Sequence, residues 1–519
     1  MKKILLAMAL SVCLPAAAQS LVLLHTNDTH SNIDTDANGV GGILPRKAII
    51  DSVRKAEKNV FLIDAGDMVQ GTLYFKYFKG DVEYPLFNMM NYDIRMLGNH
   101  EFDNGLDELA KYWKTVKGAR LSANYDFSGT PAKGLFSPYV IKKVGKKKVG
   151  FLALNVDPTS LISEENYKGM KFHDIIETAN KTAAELKQKG CDLVVAVTHI
   201  GYSVKNGKTD DLALARASKD IDIIIGGHSH TFVDPKTPDK TPYWIKNAAG
   251  KEVLVAQTGK YGKNVGYIKL DLDNFRNGNI DYEYIPVTDR FSPDSYSKEM
   301  QEFLAPYKHI VDSVNSRVIA YSSMDMPNGR TTGAFANWAG DFGAWFGRQV
   351  ADSLRRAGVE VAPVSLGIMN VGGIRQSMPK GEITEGQILS TFPFSNRMRL
   401  IEISGKDLAE TMKIVAPKGG EAVSAEVVVV TDTAGRYERM LVGGEEINPD
   451  KKYVVSTIDY VAEGNDDMTP MKNHREIWRD DREVSARILE YLGRLNSLGV
   501  PVSADPNPRF VVDTKYFEK

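Results

Sequence analysis

The sequence lacks an excess of charge of either sign, a long apolar run beyond its N-terminus, and two glycine-rich phosphate-binding patterns. Its 65 lysines and arginines are matched by 66 aspartates and glutamates, so charge gives no reason to expect a nucleic acid polymer or an anionic membrane as partner. No later run is long enough to predict a transmembrane span. Neither GxxxxGK[ST] nor GxGxxG after a strand occurs, which argues against a P-loop or a dinucleotide fold.

Cysteine is scarce, and one of the two cysteines lies in an N-terminal segment typical of a secretion signal. Residues 1–18 carry two lysines, then an apolar stretch, then three alanines. We expect a signal peptide here and a periplasmic or secreted mature chain. A lipid anchor at Cys13 is less favoured, because Val12 stands where a small residue is preferred. Once Cys13 is removed, Cys191 is the only thiol, so we expect no internal disulfide and a buried Cys191.

The first half of the chain repeats one pattern, a short apolar run that ends in a turn rich in glycine, asparagine or aspartate. The six runs are LVLLHTNDTH, NVFLIDAGDMVQG, YDIRMLGNHEFDNG, KVGFLALNVD, DLVVAVTHIG and IDIIIGGHSH. Runs that are apolar throughout are typical of strands buried on both faces. Helical patterns such as residues 43–56 and 176–190 separate several of them. This alternation predicts a layered α/β domain whose ligands lie beyond the carboxyl ends of its strands.

The length of 519 residues exceeds what one hydrophobic core holds, so we expect at least two domains. Residues 297–318 show apolar positions at helical spacing and predict a connecting helix. Strand-like runs and a long amphipathic helix follow, and we expect the aromatic face of that helix to be core. We therefore predict a first domain at residues 19–295, a linker helix at residues 296–318 and a second, mixed α/β domain at residues 319–519.

Polar side chains follow the strand-like runs, and their types are those that bind divalent metal ions. Five of the nine histidines fall at such ends, together with carboxylates and one amide. The set is Asp28, His30, Asp64, Asp67, Asn99, His100, Asp103, Asp157, His199, His228 and His230. Imidazole, carboxylate and amide oxygen suit zinc, manganese, iron or cobalt, and there are too many ligands for one tetrahedral ion.

Seven of these residues divide into two groups of metal ligands that share one carboxylate. The groups are Asp28, His30 and His230 for one ion, and Asn99, His199 and His228 for the other, with Asp67 as the bridge. Two adjacent ions clamp the attacking and leaving oxygens of an in-line displacement and generate hydroxide near neutral pH. That chemistry suits phosphate esters.

His100 and Asp103 are predicted to form a catalytic pair beside the metals. On an extended backbone His100 points away from the direction of Asn99, toward a substrate. Asp103 is close enough in sequence to hydrogen-bond the other ring nitrogen, which favours the imidazolium form. A cationic His100 stabilises charge on the phosphoryl oxygens or on the leaving group. His25 lies within the first run and is expected to face elsewhere.

Five motifs resemble, in order, those of the calcineurin-like metallophosphoesterases: HTNDTH, DAGDMVQG, LGNHEFDNG, THIG and GGHSHTF. Their residues are similar to those of the 5′-nucleotidase branch. The resemblance implies a four-layered α/β/β/α catalytic domain with two divalent ions, zinc, manganese or cobalt. It agrees with the ligand groups and the catalytic pair above. Position 230 varies within the family, and this chain has His230. The implied activity is hydrolysis of nucleoside 5′-monophosphates to nucleoside and phosphate by a metal-bound hydroxide.

The second half is similar to the nucleotide-binding domain of that family over MNVGGIR, TFPFSNRM and DYVAEGNDDM. By this resemblance seven residues bind the nucleotide substrate: Asn370, Arg375, Phe394, Asn396, Tyr460, Asp466 and Arg330. Phe394 and Tyr460 can stack on the two faces of a base, and Asp466 can accept hydrogen bonds from ribose. Arg375 can pair with phosphate. Tyr460 stands where the family usually has phenylalanine, and the segment around Arg330 matches more loosely.

Other activities stay open at this stage. The same site can act as a UDP-sugar diphosphatase, as a 2′,3′-cyclic nucleotide phosphodiesterase, or on NAD-like dinucleotides. A related branch acts on thiosulfate groups, but Asn370, Arg375 and Phe394 argue for a nucleotide. A metal-dependent adhesion protein with vestigial catalysis is a further alternative, and the complete set of ligands argues against it.

Overall fold

The first half of the chain consists of short strands separated by helices. The computed structural model describes residues 19–159, 161–204, 207–275, 279–329 and 333–513. The strands of this half are β1 (Ser20–Thr26), β2 (Val60–Asp64), β3 (Ile94–Met96), β4 (Ala119–Leu121), β5 (Tyr125–Asp126), β6 (Tyr139–Val144), β7 (Lys147–Asn155), β8 (Lys171–Phe172), β9 (Leu193–His199), β10 (Ile223–Ile225), β11 (Trp244–Lys246), β12 (Glu252–Ala256), β13 (Asn264–Asp271) and β14 (Ile280–Pro286). The helices are α1 (Ile43–Ala56), α2 (Leu73–Phe78), α3 (Glu83–Met90), α4 (Gly105–Trp113), α5 (Glu164–Tyr167), α6 (Ile175–Gln188) and α7 (Asp211–Ala217).

Two six-stranded sheets organise the described part of this half. One has the order β14-β13-β1-β2-β3-β4 and the other the order β11-β12-β10-β9-β7-β6, while β5 pairs with β8 alone. Strands β1, β2, β3 and β4 run parallel, as do β7, β9, β10 and β12. The carboxyl ends of the parallel strands in each sheet therefore meet at one edge, where ligands bind in such folds.

The two sheets stack face to face with helices outside them. Leu21 and Leu23 of β1 share a core with Phe151 of the second sheet, whereas Val22 and Leu24 pack with helix α1 on the opposite face. Helix α6 covers the outer face of the second sheet. Because alternate residues of a strand point to opposite faces, β1 is buried on both sides. The domain is therefore four-layered, α/β/β/α, as predicted.

The second half is a separate mixed α/β domain. Its strands are β15 (Val318–Ser322), β16 (Val364–Met369), β17 (Gly381–Thr384), β18 (Arg397–Ser404), β19 (Ala422–Val423), β20 (Val427–Thr431), β21 (Tyr437–Val442), β22 (Glu445–Glu446), β23 (Lys452–Ile458), β24 (Arg475–Glu483) and β25 (Phe510–Val512). The helices from the junction onward are α8 (Lys298–Asn315), α9 (Ala334–Arg356), α10 (Glu385–Thr391), α11 (Gly405–Val415), α12 (Asp459–Ala462) and α13 (Val484–Ser497). Its described strands form the sheets β19-β16-β23-β18-β24, β22-β21-β20-β25 and β15-β17.

Helix α8 connects the halves, as the spacing of its apolar residues predicted. It packs against α2 and α10, and its residues Met300, Leu304 and Val311 share a core with Leu389 of α10. The first and second halves are thus joined by apolar packing as well as by the chain. The domain boundaries at residues 295 and 319 stay a prediction.

Other local predictions can be compared with the described residues. The pattern of residues 43–56 predicted α1, and Gly190, with φ 80°, follows the end of α6. Cys191 is buried and has no disulfide partner among the described residues, whereas Cys13 and the predicted signal peptide at residues 1–18 lie outside them. In the described ranges no helix combines the length and apolar character needed to cross a bilayer.

Candidate functional site

The predicted metal ligands meet where the two sheets present the carboxyl ends of their parallel strands. They lie in the loops after β1, β2, β3 and β10 and at the last residue of β9. The structure forms three groups whose ligand atoms lie within 4.8 Å of one another: Asp28, His30 and His230; His30, Asp67 and His100; and Asp67, His199 and His228. Sequence reasoning had kept His100 out of the ligand set, and here its ring lies beside two predicted ligands.

The backbone of this centre is strained where the ligands lie. Five of the predicted ligands have positive φ, between 47° and 78°: Asp28, His30, Asp67, His228 and His230. Such a conformation costs a residue other than glycine about 1–3 kcal/mol and persists only where the surroundings enforce it. Two backbone hydrogen bonds enforce it here, from Asp28 N to Gly66 O (3.0 Å) and from His30 N to Asp67 O (3.0 Å). The first two loops are therefore tied to each other.

The first ligand group is nearly closed to solvent. The Nε2 atoms of His30 and His230 lie 2.9 Å apart, and Asp28 Oδ1 lies 3.8 Å and 3.5 Å from them. The side-chain amide of Asn27 donates to Asp28 Oδ2 at 2.6 Å. That bond fixes the carboxylate and leaves Oδ1 directed at the two imidazoles.

The second ligand group adjoins the first through Asp67. His199 Nε2 lies 3.0 Å from Asp67 Oδ2, and the same oxygen lies 3.9 Å from His30 Nε2. His199 Nδ1 donates to the carbonyl of Ala65 at 2.7 Å, which leaves Nε2 for a metal. Asn99 Oδ1 lies 2.9 Å from His228 Nδ1. Asp67 thus lies between the two groups, at the position of a bridging ligand.

The protonation chemistry of these donors fits divalent cations. Burial lowers the pKa of His228 to about 3, so its imidazole is in the neutral form that binds metals. Burial also raises the pKa of Asp28 to about 7. Burial lowers the pKa of His199, but the carboxylate of Asp67 raises it by more, and the net result is a pKa of about 10. A proton on His199 thereby balances the charge of Asp67 where a metal ion would otherwise do so. The buried His30 Nδ1 has no hydrogen-bond partner.

Two glycines allow the ligand loops to approach this closely. A Cβ atom on Gly98 would lie 2.1 Å from Asp67 Oδ1, and one on Gly227 would lie 2.7 Å from His199 Nδ1. Both distances are shorter than van der Waals contact, so no side chain is tolerated at either position. The glycines in LGNHEFDNG and GGHSHTF therefore have a packing role in the metal centre.

His100 and Asp103 contact each other, but the backbone at Asn99 and His100 is not extended as predicted. His100 begins a 3-10 turn that runs to Phe102, and Asn99 before it has helical φ and ψ. One helical turn places residues three apart on the same side, so His100 Nδ1 donates to Asp103 Oδ2 at 2.8 Å. Burial lowers the pKa of His100, but the carboxylates of Asp103 and Asp67 raise it by more. The net upward shift favours the imidazolium.

Gln70 and Glu101 support this centre, and sequence reasoning missed both. Gln70 Nε2 donates to Asp103 Oδ2 at 2.8 Å. The buried carboxylate of Glu101 accepts the backbone amides of Gly98 (2.5 Å), Asp67 (3.1 Å) and Met68 (2.9 Å). It therefore fixes the strained loop that carries Asp67, the predicted bridging ligand. The only signal in the sequence was position, because both residues lie inside the quoted motifs.

Replacing Glu101 by glutamine is expected to weaken metal binding about 10–100-fold, the effect typical of lost support around a metal ligand. An amide has one acceptor oxygen in place of two, so one of the three backbone amides loses its partner. Titration of the metal-free protein with Zn²⁺ measures the change, and exposed Glu445→Gln is the matched control. Equal affinities in the two variants would contradict this role for Glu101.

Some carboxylates and one histidine considered from the sequence lie apart from the centre. Asp64 accepts a hydrogen bond from Thr26 Oγ1 at 3.3 Å, and Asp157 accepts the amide of Thr159 at 2.9 Å. Neither belongs to a ligand group among the described residues. His25 is fully buried in β1, and it belongs to no ligand group of the described residues.

A cleft of about 420 Å³ joins the metal centre to the second domain. Six of the seven predicted substrate residues line it: Asn370, Arg375, Phe394, Asn396, Tyr460 and Asp466. The seventh, Arg330, lies outside the described residues. Asp67, Asn99 and His100 line the same cleft from the first domain. Residues that sequence alone could group only by resemblance therefore face the metal centre across one space.

The polar residues of the second domain form a connected set in this cleft. Asp466 accepts hydrogen bonds from the hydroxyl of Tyr460 (3.2 Å) and from the amide of Asn370 (3.3 Å). The hydroxyl of Tyr460 also lies 3.3 Å from the carbonyl of Leu161 in the first domain. The hydroxyl that Tyr460 has and phenylalanine lacks thus contacts Asp466, which is predicted to bind ribose, and Leu161 on the first-domain side of the cleft.

Arg375 places positive charge at the junction. Its Nη2 atom is buried without a hydrogen-bond partner, and its guanidinium lies 5.7 Å from the ring of Phe394. Burial and then the charge of Arg375 lower the pKa of His230, so the field of this cation reaches the metal centre. A guanidinium that lines the cleft and keeps a donor nitrogen without a partner is suited to a phosphate.

Comparison with known proteins assigns the family. Residues 21–232 match the family model of calcineurin-like phosphoesterases, and residues 328–473 match that of the 5′-nucleotidase C-terminal domain. The structure of a 5′-nucleotidase precursor from Thermus thermophilus is similar to this one with a TM-score of 0.79 and 30% identity, over 95% of this chain and 99% of that chain. The chain belongs to the 5′-nucleotidase family.

Curated relatives agree with that assignment. A 5′-nucleotidase of Vibrio cholerae is 29% identical over 510 residues, which cover 90% of each chain. A snake venom 5′-nucleotidase of Crotalus adamanteus is 29% identical over 80% of this chain and 73% of its own. This member of the 5′-nucleotidase family is therefore a metal-dependent phosphoric ester hydrolase, and its donor groups fit the two-metal site of calcineurin-like phosphoesterases.

Proposed function

We propose that the protein hydrolyses nucleoside 5′-monophosphates to nucleoside and phosphate with two divalent ions. The observation that carries this proposal is one cleft, which is lined both by four of the candidate metal ligands and by six predicted nucleotide-binding residues. A monophosphate at the metal centre then has its sugar and base directed at the second domain. The 5′-nucleotidases among the relatives support the same substrate class.

The residues divide the work of holding the two ions. Asp28, His30 and His230 would hold one ion, Asn99, His199 and His228 would hold the other, and Asp67 would be their shared ligand. When bound, the ions supply Lewis acidity to the phosphoryl oxygens and lower the pKa of water. The donor set of imidazoles, carboxylates and one amide favours zinc, manganese or cobalt.

The remaining residues bind and orient the substrate. His100, held by Asp103, donates a hydrogen bond from Nε2 to a phosphoryl oxygen and stabilises the charge that develops there. Arg375 pairs with the phosphate, and Asp466 accepts from the ribose hydroxyls. Phe394 and Tyr460 stack on the base, while Asn370 and Asn396 hydrogen-bond the base or the sugar.

A second candidate activity is the cleavage of UDP-sugars at the same site. A cavity of about 520 Å³ adjoins the cleft and shares Leu161, His228 and Asp466 with it. This adjoining space is available to the sugar phosphate of a nucleoside diphosphate sugar. The 2′,3′-cyclic nucleotides form a third substrate class for the same metal centre.

Export completes the proposal. The basic start, apolar stretch and alanines of residues 1–18 support a signal peptide and a periplasmic or secreted protein. The nucleotide substrate then comes from outside the cytoplasm. The proposed division into a catalytic domain at residues 19–295, a linker helix at 296–318 and a substrate-binding domain at 319–519 follows the positions of α8 and the sheets.

The decisive experiment compares three substrates on one metal-loaded preparation. After loading with Zn²⁺, Mn²⁺ or Co²⁺, chromatography measures adenosine and phosphate from AMP, UMP and glucose 1-phosphate from UDP-glucose, and adenosine monophosphate from 2′,3′-cyclic AMP. We expect kcat/KM to be at least about tenfold higher for AMP, since its phosphate and base fill the cleft from both domains. Faster turnover of UDP-glucose would favour the cleavage of UDP-sugars. If metal-loaded protein hydrolysed none of the three substrates, nucleotide hydrolysis would be refuted.

A further inference from the structure

The ring of Phe394 lies at the contact between the two domains. It stacks on the imidazole of His100, with ring centroids 5.7 Å apart and planes inclined by 25°, and Arg375 approaches it at 5.7 Å. An aromatic ring in this position both contacts the predicted catalytic histidine and forms one wall for a base. The segment that carries Phe394 must therefore be held in register with the first domain.

Lys76 of helix α2 reaches across the domain boundary to that segment. Its side chain is only 9% exposed and forms an ion pair with Glu483. The Lys76 ammonium also donates to the carbonyl of Pro393 at 3.3 Å and to Ser485 Oγ at 3.4 Å. All three partners belong to the second domain, more than 300 positions along the chain. A nearly buried ammonium is stable only where such partners replace water.

Glu483 holds the same segment from its other side. Burial raises the pKa of Glu483, whereas side-chain hydrogen bonds from Lys76 and Ser395 lower it, and the net shift is downward. Pro393 and Ser395 are the two neighbours of Phe394 in the sequence. Lys76 thus contacts the residue before Phe394. The backbone next to Glu483 is tied to the segment after Phe394, since Val484 N donates to Asn396 O at 2.8 Å.

We propose that the Lys76–Glu483 ion pair is an interdomain positioning device, which holds Pro393 and Ser395 so that Phe394 stays on His100 and forms one wall of the base site. Neither residue touches the reacting phosphate. The pair acts through Phe394, and it sets how tightly a base is bound in the cleft. The effect on turnover rests on the proposed nucleotide hydrolysis, whereas the effect on the Phe394 segment does not.

Lys76→Met tests the device because methionine keeps the apolar length of the side chain and removes its charge. We expect amide hydrogen exchange in residues 391–397 to be faster, and KM for AMP to rise about tenfold as base stacking weakens. Ribose 5-phosphate has no base, so its kcat/KM is expected to stay within about twofold. The matched control is Lys187→Met, since Lys187 forms a partly buried ion pair with Asp222 inside the first domain.

Two further variants separate positioning from general destabilisation. Lys76→Arg keeps the charge and the donors, so it is expected to restore most of the affinity for AMP. The double variant Lys76→Met with Glu483→Gln is expected to have the same KM for AMP as Lys76→Met alone, because the two side chains act as one unit.

Unchanged exchange in residues 391–397 of Lys76→Met, or additive effects in the double variant, would overturn the proposal. The exchange measurement needs no substrate. Wild-type protein that loads metal but releases no phosphate from AMP overturns nucleotide hydrolysis, and faster exchange in the variant still supports the positioning device.

Discussion

Asp67→Asn is expected to lower kcat for AMP by about 10³-fold or more, because the lost charge removes several kcal/mol of metal-dependent stabilisation of the transition state. Burial raises the pKa of Asp67, but the charges of His199 and His100 lower it by more, so the pKa lies well below its usual range. The native side chain is therefore an anion between the two ligand groups. Asparagine offers one neutral oxygen in place of two charged ones, so at least one of the two ions is expected to be lost.

The backbone makes this substitution a clean test. Asp67 has φ 55°, a conformation that asparagine also adopts readily, so the loop is expected to keep its shape. Elemental analysis of the purified variant measures metal per chain, and phosphate release from AMP measures turnover. Asp157→Asn is the matched control, because Asp157 also follows a strand but lies outside the ligand groups of the described residues. A variant with two ions per chain and native turnover would refute a bridging role.

His100→Ala is expected to lower kcat by about 10²–10³-fold while both ions stay bound, the range typical of a lost hydrogen bond to a developing oxyanion. Asp103 occupies Nδ1 at 2.8 Å, so Nε2 is the ring nitrogen left for a phosphoryl oxygen. Because that bond strengthens as charge develops, kcat is expected to fall more than KM changes. Steady-state kinetics on AMP with parallel elemental analysis measures both quantities.

The control for His100→Ala is His309→Ala, since His309 is exposed on helix α8. That variant is expected to keep wild-type turnover. His100 also belongs to a group of possible ligands with His30 and Asp67. Loss of an ion together with loss of turnover in His100→Ala would therefore reassign His100 from the substrate to the metal centre.

The convergence of the candidate metal ligands was predictable because it depends on short-range patterns. Apolar runs predicted the strands, and a turn rich in glycine predicted where each strand ends. Parallel strands then bring those ends together without any detailed knowledge of packing. Asp28, Asp67 and His228 were expected to come together for this reason, and the structure groups them with other candidate ligands, although they lie in loops far apart in the sequence.

The contacts of His100 were harder to predict, since they depend on the path of the backbone. An extended chain directs adjacent side chains to opposite sides, and that argument separated His100 from Asn99. The helical turn at His100 in fact puts Asp103 beside it. Glu101 was missed for the same reason, because its role requires three backbone amides to converge on one buried carboxylate.

The sequence by itself determined the layered α/β architecture, the places where strands end, and the types of donor at those ends, because these follow from local periodicity and residue chemistry. Only the tertiary structure decided which atoms meet. The ion pair of Lys76 with Glu483 joins residues 407 positions apart, and Phe394 lies on His100 only because the two domains pack in one orientation. Contacts of that kind depend on how whole domains bury their surfaces, which no local pattern encodes.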